Sequence, residues 1–293
     1  MQPLLDADLL LYEIGFSCQK KDNGLTIVKP WEECQELFDK KIELICEDVK
    51  ATQPPILYFT NTEFINKMLN KRRKWVGEEE KEYVPNFREA IAVSRGYKSG
   101  RKEEKPAHFH NILMYAFDNY EVVVSEDGLE ADDLMCIEST SRPNETIICS
   151  RDKDLRQCPA NFFSWECGAQ RAIGPLVISR IGFLDLIREV NDKGKPKAPK
   201  LFGVGAKWFY AQMLMGDAVD SIGGVKGEGP VGAYDLLHKL ESERELYEAV
   251  RKVYQDKYKD GWLPYLQEQA SLLYMIREIR DGQPVFFQPP ACD

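Results

Sequence analysis

Four short apolar runs mark the first half of the chain, and each stops at polar or acidic residues. They are Pro3 to Leu5 before Asp6, Pro55 to Phe59 before Thr60 and Asn61, Glu121 to Val124 before Glu126, and Thr146 to Cys149 before Ser150. Continuous rather than alternating hydrophobicity predicts strands buried on both faces. Between them, apolar positions recur at helical spacing over Trp31 to Val49, Phe109 to Asn119 and Leu129 to Ser139. Strand and helix alternate, as in a parallel sheet covered by helices, so the expected fold class is α/β. Such a sheet gathers ligands at the carboxyl ends of its strands.

The stretch from about 62 to 108 interrupts the alternation with "NKRRKW", "GEEEKEYV" and "RGYKSGRKEEKP". It is too long for a simple connection and reads as a charged, solvated helical excursion above the sheet. The loop "DKGKPKAPK" marks a shift in composition and an expected boundary, giving an α/β region over 1–195 and a helical region over 196–293.

Charge changes the picture further. The net charge of −9 argues against a nucleic-acid partner, because a phosphate backbone repels an acidic surface. The distribution argues the other way: Lys67 to Lys105 holds 12 Lys or Arg against 7 Glu and no Asp, leaving −14 for the remainder. No apolar run reaches the roughly 18 to 20 residues that span a bilayer. The early stretch Met1 to Tyr12 carries Asp6 and Asp8 instead of a basic leader. A cytoplasmic protein with no membrane contact is the expectation. Eight cysteines with no C-x-x-C predict free thiols rather than a zinc site. With only His108, His110 and His238 available, demanding chemistry falls to carboxylates.

Those carboxylates cluster at strand ends. Asp6 closes the first run, "SEDGLEADDLMCI" brings Glu130, Asp132 and Asp133 to a helix start, and "ICSRDKDLRQ" puts Asp152 and Asp154 in the turn after the last run. Taken singly, acids suit a helix N-terminus through its dipole, and an Asp-Lys-Asp turn is ordinary solvated surface. Together they would share one sheet edge, where mutual repulsion raises their pKa values unless a cation neutralises them. Oxygen-only ligands favour magnesium or manganese. Two such ions about 4 Å apart can cut a phosphodiester, one supplying a hydroxide and the other steadying the leaving oxygen.

Farther on, "GDAVDSIGGVKGEGPVGAYDLL" sets Asp217 and Asp220 before a turn containing Gly224, Gly227 and Gly229, then enters a helix. Glycines let backbone amides crowd toward an anion at a helix start, a grip on phosphate that reads no base. Standing alone, the same stretch is equally a glycine turn between two capped helices.

The ordered set Asp6, "GLEADD", "SRDKDL" and "GDAVDSIGGVKGEGPVGA" resembles the 5′ nuclease superfamily of flap endonucleases and 5′ to 3′ exonucleases. The segments "RGYKSGRK" and "CPANFFSWECG" are most similar to the 5′ exonucleases of T7-like, short-tailed bacteriophages. The resemblance implies a parallel-sheet, PIN-like core with a helical arch over about 62–108 and a helix-three-turn-helix over 216–237. It implies that Asp6, Glu130, Asp132, Asp133, Asp152, Asp154, Asp217 and Asp220 hold two Mg2+ or Mn2+ ions. Tyr97, Lys98 and Arg101 match the family's "YKxxR" at the arch base, where Lys98 and Arg101 would hold the scissile phosphate and Tyr97 would stack on a base. Arg72 and Arg73 in the arch would gather the 5′ strand. The duplex would rest on Gly224, Gly227, Gly229, Lys226 and Lys207, with a K+ ion at the glycine turn.

Three positions depart from the family: Asn61 stands where an aspartate is usual, Asn66 stands in place of the following arginine, and Val231 replaces a basic residue of the turn. The implied activity is metal-dependent 5′ to 3′ exonuclease with flap-endonuclease and RNase H-like cleavage, in phage replication or host DNA breakdown. Its partners would be double-stranded DNA with 5′ ends or flaps, RNA/DNA hybrids and replication proteins, and the enzyme would act as a monomer. The alternatives are a structure-specific DNA binder whose catalysis is weakened or lost through Asn61, and a PIN-like ribonuclease, against which the stretch 216–237 argues.

Overall fold

The computed structural model describes residues 1–100 and 104–291. The chain begins with β1 (Gln2–Asp6), α1 (Ala7–Ser17), β2 (Gln19–Asp22), β3 (Leu25–Val28), α2 (Trp31–Asp48) and β4 (Ile56–Phe59). It continues through α3 (Glu63–Val76), α4 (Phe87–Ile91), α5 (Phe109–Asn119), β5 (Glu121–Val124), α6 (Ala131–Ser141) and β6 (Thr146–Cys149). After a 3-10 turn at Asp154–Gln157 come β7 (Asn161–Ser164), β8 (Ile173–Val177), β9 (Phe183–Ile187), β10 (Lys200–Val204) and α7 (Gly205–Met215). The last elements are α8 (Pro230–Leu237), α9 (Glu243–Tyr258), α10 (Trp262–Leu273), β11 (Ile279–Arg280) and β12 (Gln283–Pro284).

Two compact units divide these elements. The first, over its described residues, comprises 1–87, 104–151 and 161–176. It is built on a six-stranded sheet of order β5-β4-β1-β6-β7-β8. β1 runs parallel to β4 and β6, β4 parallel to β5, and β6 parallel to β7. The predicted α/β class and parallel order are therefore observed. Central β1 and β4 are buried throughout because Leu4, Leu5, Leu57 and Phe59 face helices on either side. Helices α1, α2 and α5 close this core with Leu10, Phe38, Ile42, Ile112 and Leu113, all buried.

The second unit, again over its described residues, comprises 88–100, 152–160 and 177–291. Its core sets Trp208, Phe209, Tyr210 and Leu214 of α7 against Leu246, Val250 and Tyr254 of α9 and Leu266 and Ala270 of α10. Nearly all of α7 is buried, which its apolar composition on every face requires.

Three local expectations are corrected. The region after 200 does not begin as helix: β10 pairs antiparallel with β9, and "DKGKPKAPK" lies in the loop that joins them. The charged excursion is not solvated throughout, since Arg88 is fully buried and donates from Nε to the Leu272 carbonyl (3.1 Å) and from a terminal nitrogen to that of Tyr274 (2.8 Å). Cys136 and Cys158 are disulfide-bonded, whereas Cys18, Cys34, Cys46, Cys149 and Cys167 are free thiols as expected. Among the described residues, no helix is long and apolar enough to cross a membrane.

A buried carboxylate cluster as a candidate metal centre

The carboxyl edge of the first unit's sheet is polar and tightly bonded. Asp6 ends β1, caps α1 by accepting from the Leu9 amide (3.2 Å), and takes a hydrogen bond from Ser150 Oγ at the end of β6 (2.6 Å). Asp8 accepts from the Thr60 amide (3.0 Å), and Thr60 Oγ1 in turn accepts from the Ala131 amide (3.0 Å). Glu130 and Asp133 form a reciprocal capping box at the start of α6, with Asp133 Oδ2 3.1 Å from the Glu130 amide. The helix-start explanation therefore applies to Glu130 and Asp133 in their present bonding. Asp132 lies beside them, half-buried in the first turn of α6.

Asn61 follows β4 on this edge, its amide donating to Ser125 Oγ (2.9 Å). Its Oδ1 is buried without a hydrogen-bond partner. The side chain lines a cavity of about 330 Å³ with Asn66, Lys81, Glu82, Val84, Glu126 and Asp127. Asn66 is buried and donates to the Lys81 carbonyl (3.1 Å), so it holds the loop after α3 instead of presenting a charge.

The second unit contains the molecule's concentrated acid. Asp154, Asp217 and Asp220 are all buried and each offers an oxygen within 4.8 Å of the others. Local sequence explains the convergence. Asp152 Oδ1 accepts the Asp154 amide (2.8 Å), an Asx turn that starts the 3-10 segment. The Asp217 amide and carbonyl both pair with Ile222 (2.9 and 2.7 Å), closing a tight loop that brings Asp220 back toward Asp217. Two glycines make that loop possible. Gly216 and Gly224 have φ of +72° and +59°, and a Cβ built on Gly224 would lie 2.3 Å from the Gly216 nitrogen.

Polar partners finish the cluster. Gln212 of α7, 1% exposed, donates from Nε2 to Asp154 Oδ1 (2.5 Å), while its Oε1 has no partner. Lys153 Nζ stands 3.4 Å from Asp154 Oδ1 and is hydrogen-bonded to Asp217 Oδ2. Burial, then the negative charge of Asp152, pushes the Asp154 carboxyl up to about 7. Burial opposes the Lys153 ammonium, but Asp154, Asp217 and Asp152 outweigh it and hold the group protonated above its ordinary range. Among the described residues the donor set suits a hard divalent cation: three carboxylates and one unsatisfied amide oxygen, with no sulfur or imidazole in the cluster.

The segment "YKSG" joins this cluster. The Lys98 amide donates to the Asp220 carbonyl (3.1 Å), and Ser99 Oγ to Ser221 Oγ (3.4 Å). Lys98 and Ser221 both adopt left-handed backbone, with φ of 53° and 64°, a cost that non-glycine residues bear where surrounding contacts enforce it. Lys98 Nζ lies 4.8 Å from the Tyr97 ring centroid. Arg101 lies outside the described residues.

The remaining expected contacts divide. Gly224 is buried; its amide and that of Gly223 both donate to Gln269 Oε1 (3.0 Å each), and its carbonyl accepts from Tyr258 and Tyr265 (3.2 and 2.9 Å). Lys207 is also withdrawn, 8% exposed with Nζ on the His238 carbonyl (2.8 Å) just after α8. Lys226 and Gly227 are exposed, and Gly229 caps α8. In α3, Arg72 pairs with Asp118 (2.6 Å) and Arg73 with Glu126 (3.0 Å). Lys71 and Lys74 are exposed and carry no ion pair among the described residues. Beside them Trp75 is 89% exposed, while Trp165 and Trp208 are buried. Trp75 was overlooked although "KRRKW" is a legible signal, an aromatic ring adjoining a basic run. Lys153 and Gln212 were overlooked because nothing in their spacing reveals where their side chains end.

No family model and no curated protein matches the chain. Solved structures do resemble it. One is T5 5′-exonuclease with divalent zinc ions bound, at 14% identity and TM-score 0.46 over 94% of this chain and all of that one (100%). Another is the catalytic core of Rad2 in complex with DNA substrate, at 10% identity and TM-score 0.42 over 89% of this chain and 67% of that one.

Proposed function

We propose that this chain is a divalent-metal-dependent 5′ nuclease acting on DNA, with 5′ to 3′ exonuclease and 5′-flap endonuclease activity and RNase H-like cleavage of RNA/DNA hybrids. The observation that carries the reading is the bonding of the Tyr97–Ser99 segment to the loop that supplies Asp217 and Asp220 to the buried cluster. A phosphate-holding ammonium and cation-holding carboxylates on one bonded loop pair are what phosphodiester hydrolysis requires.

In this reading Asp154, Asp217 and Asp220 hold Mg2+ or Mn2+, with Asp152 fixing the turn that presents Asp154. Asp6, Glu130, Asp132 and Asp133, at the carboxyl edge of the first unit's sheet, are assigned to cation binding as well. The bound ions supply Lewis acidity at the phosphate. Lys98 binds the scissile phosphate oxygens and offsets the charge that grows on them, aided by Arg101. Tyr97 stacks on the terminal base. Phosphate of the duplex is gripped by Lys226, Gly227 and the amides at the start of α8 rather than by Gly224 or Lys207, whose polar groups are engaged internally. The exposed Lys71, Lys74 and Trp75 bind the single-stranded 5′ end.

A second reading is favoured by one observation. Asn61 offers a neutral amide whose oxygen is buried and unpartnered, so the carboxyl edge of the first unit's sheet lacks a charge that an aspartate would supply. The chain would then be a structure-specific DNA binder with weakened catalysis. Single-turnover cleavage of a 5′-labelled flap duplex in Mg2+ and in Mn2+, run beside Asn61→Asp, separates the two. Cutting by the unaltered protein supports the nuclease, whereas binding without cutting until aspartate is restored supports the binder.

A further inference from the structure

Three buried carboxylates lie within 4.8 Å of one another, and the Lys153 ammonium is paired with two of them, Asp154 and Asp217. Asp154 and Asp217 are almost fully enclosed, with side chains 7% and 3% exposed, while the Lys153 side chain is 39% exposed. The lysine therefore reaches into the cluster from its rim. Its backbone is pinned: the Lys153 carbonyl accepts from Trp208 Nε1 (2.8 Å) and Arg156 Nε (3.2 Å). Arg156 is itself held between the rings of Phe202 and Trp208, 4.9 and 4.6 Å from their centroids. A fixed backbone and a half-exposed, four-carbon stem allow the ammonium to leave without moving the chain.

A second observation marks the place as incomplete. Gln212, 1% exposed and bonded to Asp154, keeps a buried Oε1 with no donor. An orphaned buried acceptor is costly, and a cation or its bound water would satisfy it.

We propose that Lys153 is a tethered competitor for the divalent cation: its ammonium holds Asp154 and Asp217 together in the metal-free protein, and loading requires it to swing out to solvent. The inference rests on the reading of Asp154, Asp217 and Asp220 as cation ligands. It makes Lys153 a positioning residue that sets cation affinity and keeps the empty site from flying apart by repulsion.

Amine footprinting tests this on the unaltered protein. Acylation of Lys153 by a water-soluble succinimidyl ester, read by peptide mass spectrometry at fixed pH, should rise about threefold or more when Mn2+ binds, with exposed Lys239 unchanged as the control. Unchanged Lys153 labelling in a sample whose Mn2+ binding is verified by calorimetry overturns the proposal. In parallel, Lys153→Met should tighten Mn2+ binding by about tenfold and lower the thermal midpoint in chelator, with the deficit restored by Mn2+. Equal or weaker Mn2+ affinity in a folded Lys153→Met protein also overturns it. The two readings fail separately: a chain that shows the labelling change but never cuts DNA refutes the nuclease alone, whereas cleavage with unchanged labelling refutes only the lysine's role.

Discussion

Glu13 in the first unit is half-buried and Asp154 in the second is buried, and their surroundings are opposite. Around Glu13 gather two cations and an indole: Lys41 at 2.7 Å, Arg151 at 3.1 Å and Trp165 Nε1 at 2.8 Å. Burial alone would raise this carboxyl, but Lys41, Trp165 and Arg151 hold it below the ordinary glutamate range. Around Asp154 stand Asp152 and Asp217 as well as Lys153, and burial together with Asp152 drives its carboxyl up to about 7. An acid surrounded by donors stabilises a fold. Acids crowded against each other destabilise one, and persist where they serve a cation.

The largest effect should come from the crowded cluster. Asp217→Asn is expected to lower single-turnover cleavage of a flap duplex by about 10³-fold while flap affinity stays within about twofold. A rate near the parent's would erase the functional half of the contrast. Glu13→Gln should lower stability by about 3 kcal/mol in urea titrations near neutral pH, with cleavage unaffected per folded molecule. The sign with pH is fixed. The folded Glu13 carboxyl lies below its ordinary value of 4.5, so its stabilisation is present above that pH and is lost as pH falls through the folded value. The gap between parent and variant should close on acidification, and a gap independent of pH would show that packing, not charge, is at work.

Smaller effects sharpen the comparison on the surface. Trp75→Ala should weaken a single-stranded oligonucleotide by about tenfold, and Trp75→Phe should restore most of it. Stability should change by less than about 0.5 kcal/mol, because the ring is 89% exposed. Lys207→Met should leave duplex affinity within about twofold and cost about 1 kcal/mol of stability, since its ammonium serves the His238 carbonyl. A marked loss of duplex binding would return Lys207 to the interface.

Some elements were legible at once. The runs Glu121 to Val124 and Thr146 to Cys149 are β5 and β6 to the residue, and Phe109 to Asn119 is α5. Apolar periodicity reports local burial, and burial on two faces of a strand leaves few alternatives. The β2–β3 hairpin was passed over although Asn23-Gly24 at its turn, with φ of 48° and 80°, is a strong hairpin signal. The β9–β10 hairpin was harder. Its long loop of lysines, glycine and prolines has a linker's composition, and nothing local says that Val204 returns to pair with Phe183.

What the sequence determined by itself is the alternation of β1, β4, β5 and β6 with helices, the acids at or just after the ends of β1, β5 and β6, and the glycines that close the Asp217 loop, because these depend on residues near one another in the chain. What only the tertiary structure decided is how charges are shared. Arg88 looks solvated and is buried, Lys207 looks free and is engaged, and Arg72 and Arg73 are paired with acids 46 and 53 positions away. The convergence of Lys153, Gln212 and Asp217 on Asp154 spans up to 64 positions between Lys153 and Asp217. Long flexible side chains choose partners by distance and dielectric, and both are properties of the folded chain rather than of the sequence around them.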